Sequence, residues 1–120
     1  VAHNEPAAAV LAAELRARGG AGRRIGVVGM LGDKEVRAVA AQLDALIDHW
    51  IFCGIADEPR GLDATTLRAR AGPLRGGGEC AASIAAGCER APALARAGDR
   101  IVVFGSFYAV GPALEWLQLY

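Results

Sequence analysis

The sequence predicts an α/β domain: a Rossmann-like, three-layer fold with a mostly parallel sheet and helices on both faces. Three observations carry this expectation. Short apolar runs bounded by glycine alternate with longer Ala/Leu-rich segments of helical period. Such alternation implies parallel strands joined by crossover helices. The length, 120 residues, suits one compact domain that can bury roughly two-thirds of its unfolded surface. The apolar fraction is 53% with only 6% aromatic, so the core must be built from Ala, Val, Leu and Ile.

Taken in order, residues 5–18 favour helix. Glu5 sits near the N-cap, Pro6 suits the first helical position, and Gly19-Gly20 ends the segment. "RRIGVVGM" (23–30) reads as a buried strand. "GDKEVRAVAAQLDALI" follows with Val36, Val39, Ala40, Leu43 and Leu46 at helical spacing and Asp33 as the expected N-cap. "HWIFCGI" (49–55) is rich in β-branched and aromatic residues and reads as strand. "ADEPRG" is a turn, and "LDATTLRARAG" a short helix capped by Asp63. "PLRGGGEC" is irregular or a short edge strand. "CAASIAAGCERAPALARAGD" (80–99) reads as a helix that Pro92 should kink or split. "RIVVFGS" (100–106) is the cleanest strand, and "YAVGPALEWLQLY" is expected to close the chain with a helix.

Acids and bases balance at 13 each, which gives no electrostatic reason to coat nucleic acid. Three cysteines without C-x-x-C spacing argue against a disulfide framework or a zinc site, and Cys53, Cys80 and Cys88 read as small buried hydrophobes in a reducing, cytoplasmic compartment. No apolar run approaches the roughly 18–20 residues of a membrane span. No metal ligand set is expected.

In an open α/β sheet, ligands collect at the carboxyl ends of the strands. Three segments would lie there: "AHN" before the first helix, "GMLGDK" after the first strand and "FGSFY" after the last. Each precedes a helix start, where free N–H groups favour an anion. They offer His3 and Asn4, Asp33 and Lys34, and Ser106 and Tyr108. Each has a plainer reading. His3 could be a frayed terminal residue, and Asn4, Asp33 and Ser106 could be helix caps. Tyr108 could pack on the sheet, and Lys34, the single lysine beside twelve arginines, could be solvated surface. His49 reads as a surface or strand-edge residue. Neither "GVVGMLG" nor "RGGGEC" is a phosphate-binding loop. A helix at residue 5 also lacks the strand that should feed it, so "VA" is expected to be the tail of a strand lying upstream.

"VAHNEPAAAVLAAEL", "GVVGMLGDKEV" and "RIVVFGSFYAVGPALEWL" together resemble the C-terminal domain of bacterial folylpolyglutamate synthase/dihydrofolate synthase, in the Mur ligase superfamily. The resemblance covers essentially the whole chain in order. There are two departures. The family's Asp would precede Val1, and Pro6 stands one place late. The resemblance implies that residues 1–120 are one Mur ligase-type C-terminal domain of a larger two-domain enzyme. That enzyme is an ATP-dependent ligase adding L-glutamate to a folate or dihydropteroate carboxylate through an acyl phosphate. ATP and Mg would be bound mainly by an N-terminal P-loop domain, with none expected on this chain alone, which would be inactive. Membrane and nucleic-acid partners are not implied. His3 and Ser106 would act as catalytic residues, with Asn4, Asp33, Lys34 and Tyr108 supporting the nucleotide side. The alternatives from the residues themselves are a stand-alone Rossmann or flavodoxin-like nucleotide-binding module and a purely structural domain.

Overall fold

The computed structural model describes residues 5–19, 22–32, 35–55 and 58–105. Four strands, all parallel, run in the order β3-β2-β1-β4. The elements are α1 (Glu5–Arg18), β1 (Arg24–Gly29), α2 (Val36–Leu43), β2 (His49–Cys53), α3 (Ala64–Ala71), β3 (Gly77–Ala81), α4 (Ile84–Leu94) and β4 (Arg100–Gly105). The expected α/β class, with helices on both faces of a parallel sheet, is what the chain adopts. The closing helix expected after residue 108 lies outside the described residues.

Alternation along each strand sorts the side chains into two cores. On one face, Val28, Trp50, Phe52 and Phe104 pack beneath α1, α2 and α3. Trp50 stacks on Phe52 with centroids 5.8 Å apart and meets Phe104 edge-on at 5.7 Å. The aromatic side chains of the described residues thus sit together in one cluster. On the other face, Ile25, Val27, Ile51 and Cys53 pack against Ile84, Cys88 and Ala91 of α4. β1 and β2 are buried on both faces, which explains their unbroken apolar runs.

Caps account for most helix limits. Gly19, at φ 58°, ends α1 and its N–H donates to the Leu15 carbonyl at 3.2 Å. The Asp63 carboxylate accepts from the Thr66 N–H at 2.7 Å, as expected of an N-cap, and the Ser83 hydroxyl accepts from Ala86 at 3.1 Å.

Four expectations need correction. α2 starts at Val36 with Glu35, not Asp33, at its N-cap, and no side chain caps it. "PLRGGGEC" contributes a real edge strand, β3, that takes Cys80 and Ala81 from the expected helix. Pro92 does not split α4. It stands two residues before the end, and Ala95 still donates to the Ala91 carbonyl at 3.0 Å. Cys80 is exposed, unlike buried Cys53 and Cys88. Edge strands alternate between solvent and core, and Cys80 falls on a solvent position.

Candidate functional site

The connections reverse direction at β1. The chain steps from β1 to β2 to β3 on one side through α2 and α3, then crosses back through α4 to lay β4 on the other side of β1. The gap between the carboxyl ends of β1 and β4 is therefore the topological switch point, where open parallel sheets place their ligands.

Local chemistry brings these two ends close together. Gly29 pairs with Gly105 at the end of the β1–β4 ladder. Gly105 has φ 123°, and a Cβ there would run into the Gly29 carbonyl oxygen. Only glycine permits both the backbone shape and the approach. Met30-Leu31-Gly32 leaves β1 from this point, and the sequence passes from Gly105 to Ser106 at the same edge.

The strand-to-helix segment after β1 is held from the side. The Gly61 N–H closes a turn on the Glu58 carbonyl at 2.8 Å, and this turn presents residues 60–62 to it. Gly32 N–H donates to the Arg60 carbonyl at 2.7 Å, Leu62 N–H donates to the Met30 carbonyl at 3.1 Å, and Leu31 bridges Gly61. The Arg70 guanidinium donates to the Gly32 carbonyl at 2.8 Å. A cleft of about 370 Å³ opens beside this turn, with Gly54, Glu58, Asp63 and Ala82 among its walls.

The start of α1 lies at the same place. The Glu5 backbone N–H donates to Glu35 Oε2 at 3.1 Å, joining the first residue of α1 to the N-cap of α2. Described residues that flank all three sequence motifs thus gather at one end of the sheet: Glu5 after His3-Asn4, Gly32 and Glu35 on either side of Asp33-Lys34, and Gly105 before Ser106. His3, Asn4, Asp33, Lys34, Ser106 and Tyr108 themselves lie outside the described residues.

His49 is placed as expected, at the amino end of β2 and away from this rim. Its Nε2 lies 3.4 Å from Glu79 Oε1, an ion-pair distance without hydrogen-bond geometry. Arg90 Nε donates to the same oxygen at 3.0 Å. Partial burial pushes the Glu79 carboxyl up, but Arg90 and His49 outweigh it and hold the group below its ordinary value. Cys53 and Cys88 are unsuited to chemistry where they sit. Burial first, then the neighbouring Cys88, pushes the Cys53 thiol up to about 12, and burial raises Cys88 as well.

Among the described residues, no group of three or more His, Cys, Asp or Glu could hold a metal ion. None of their helices is long and apolar enough to cross a membrane. The Glu58–Gly61 turn and Arg70 are site features that sequence reading missed. "EPRG" announces a turn, but nothing in its spacing says that it stitches onto residues 30–32.

A parallel sheet with a glycine-lined switch point, and the starts of α1 and α2 joined at the same end, defines a doubly wound α/β domain of the ligand-binding type. The sequence narrows this further: the chain belongs to the Mur ligase, glutamate ligase domain family, whose model matches residues 1–107. It is 36% identical over 115 residues to the dihydrofolate synthase/folylpolyglutamate synthase of Escherichia coli K12, covering 96% of this chain and 26% of that protein. The E. coli FolC structure in complex with DHPP and ADP superposes with a TM-score of 0.89 at 34% identity, over 99% of this chain and 28% of that one. A Mycobacterium tuberculosis folylpolyglutamate synthase complexed with ADP gives 0.86 at 27% identity, over 96% of this chain and 28% of that one. The bifunctional Yersinia pestis enzyme with Mn, AMPPNP and L-glutamate bound gives 0.83 at 30% identity, over 98% and 28%. The chain spans about a quarter of the length of the curated relative it matches.

Proposed function

We propose that this chain is the glutamate-ligase domain of a cytoplasmic, ATP-dependent folylpolyglutamate or dihydrofolate synthase, and that it works only with an N-terminal P-loop domain of the same polypeptide. The observation that carries the reading is the convergence of Glu5, Gly32, Glu35 and Gly105 at the switch point. These residues flank the three motifs by which the chain resembles the family.

In this reading the folate or dihydropteroate carboxylate first takes a phosphoryl group from ATP and becomes an acyl phosphate. The amine of L-glutamate attacks the acyl carbon, the C–N bond forms, and inorganic phosphate leaves with the electrons of the C–O bond. ATP and magnesium are held mainly by the other domain. His3 and Ser106 act where the acyl phosphate and the incoming glutamate meet. A hydroxyl at a helix start suits a glutamate carboxylate, and the Lys34 ammonium offsets phosphate charge. Asn4, Asp33 and Tyr108 support that side of the cleft. Closure of the rim against the nucleotide lobe keeps water from the acyl phosphate.

The test is glutamate ligation by the intact polypeptide. His3→Ala and Ser106→Ala should each lower kcat by about a hundredfold or more with the melting temperature preserved. Unchanged turnover in both variants would remove the assigned roles. The isolated 120-residue chain should turn over nothing. Ligation by it, or tight nucleotide binding by it in calorimetry, would favour the stand-alone nucleotide-binding module instead.

A further inference from the structure

The positively charged end of α3 reaches out of its own helix. Arg68 and Arg70 both lie in the last turn of α3, where a basic side chain ordinarily sits over its own helix's free carbonyls. Arg70 instead spans to another segment, and its Nη1 donates to the Gly32 carbonyl at 2.8 Å. The Gly32 N–H is already committed to the Arg60 carbonyl at 2.7 Å. Both polar groups of this glycine are therefore tied, one by the 58–62 turn and one by Arg70.

Glycine is the residue with the widest backbone freedom, and an untied glycine at a strand exit would let the following peptide swing. Gly32 immediately precedes Asp33 and Lys34 in the sequence. We propose that Arg70 is a positioning residue: by holding the Gly32 carbonyl it fixes the peptide that precedes Asp33 and Lys34, the two residues to which the ligase reading gives a role. The bond is charge-assisted, which makes it stronger than a neutral side-chain contact to a carbonyl. Arg70 touches no substrate in this account and acts only through Gly32. The inference rests on the ligase reading for its consequence, but its geometric half stands without it.

Two measurements separate the halves. In the 120-residue chain, the carbon-13 resonance of the Gly32 carbonyl should move upfield in Arg70→Ala, the shift expected when a charge-assisted bond to that oxygen is lost. In the intact polypeptide the same variant should lose about tenfold in kcat for glutamate ligation, with a KM for folate near that of the unaltered enzyme and little change in melting temperature. Arg70→Lys keeps a donor of similar reach and should recover most of both. A lower melting temperature with kcat unchanged would mean a purely structural role and overturn the proposal. A fall in kcat with the Gly32 carbonyl resonance unmoved would mean a field effect and overturn it equally. Absence of ligation by the unaltered polypeptide would overturn the ligase reading and the catalytic half with it, while the carbonyl resonance would still judge the contact.

Discussion

Gly87→Ala puts a price on how closely α4 approaches the sheet. In an ordinary helix interior this change stabilises by about 1 kcal/mol, because glycine gives up more backbone freedom. Here a Cβ would collide with Cys53 Sγ and press on Val27 Cγ1 at 3.2 Å and Ile51 Cγ2 at 3.5 Å. All three neighbours are fully buried strand residues with 0% exposure, so none can swing aside. Overpacking of this kind costs about 3 kcal/mol at the upper end of its range. The net is a destabilisation of about 2 kcal/mol, or roughly 8 °C in melting temperature for a domain of this size. Urea denaturation of the 120-residue chain measures it, and the double variant with Cys53→Ala isolates the cause. Cys53→Ala alone leaves a hole and should destabilise. Combined with Gly87→Ala it should cost less than the sum by at least about 1 kcal/mol, since the new methyl enters the vacated space. A stabilised Gly87→Ala, or two effects that add within about 0.5 kcal/mol, would refute the packing argument.

Three further outcomes are expected. A thiol reagent should modify Cys80 readily in the folded chain and reach Cys53 and Cys88 only on unfolding, because both are buried and their thiols are raised. Thiol counts before and after adding urea check this. Asp99 accepts from the backbone N–H groups of Arg96 and Arg23 and from the Arg23 guanidinium, and those bonds, the Arg96 one foremost, hold its carboxyl below the ordinary value. Its contribution is complete above the unfolded value, about 3.9, and is lost as pH falls through the lower folded one. The acid limb of a stability–pH curve should therefore flatten in Asp99→Asn, and an unaltered limb would count against the assignment. Gly105→Ala should destabilise by about 1–3 kcal/mol, since it combines a positive φ with a blocked approach to Gly29. Chemical denaturation reads the loss, and a neutral result would contradict the close pairing of β1 and β4.

Periodicity made the architecture legible. Strands β1 and β2 carry apolar runs because they are buried, β4 carries one although only Phe104 and Gly105 of it are buried, and α2 declares itself by Val36, Val39, Ala40 and Leu43 on one side. β3 was ambiguous for a physical reason: a glycine-rich edge strand has little apolar content, and its identity comes from pairing with β2. Pro92 misled because only Ala93 and Leu94 follow it in α4, which leaves no second helical segment to split off. At the site, the motifs marked three segments, and the strand order accounts for their described flanks gathering at one end of the sheet. The stitching of residues 30–32 to the 58–62 turn was invisible, since it depends on backbone groups of Arg60 and Leu62, whose identity says nothing about their carbonyls and amides.

The register of β1 with β4 has a bearing on biosynthesis. Arg24 pairs with Arg100, so β1, one of the two inner strands, takes one of its neighbours from 76 residues further along the sequence (100 − 24). As the ribosome extrudes the polypeptide, β1 can join β2 early but must wait with its other flank unzipped until residue 105 has cleared the exit tunnel. Ribosome-bound chains stalled short of β4 would offer that bare flank to chaperones, and the ligand-facing rim would come into being only with the last ladder.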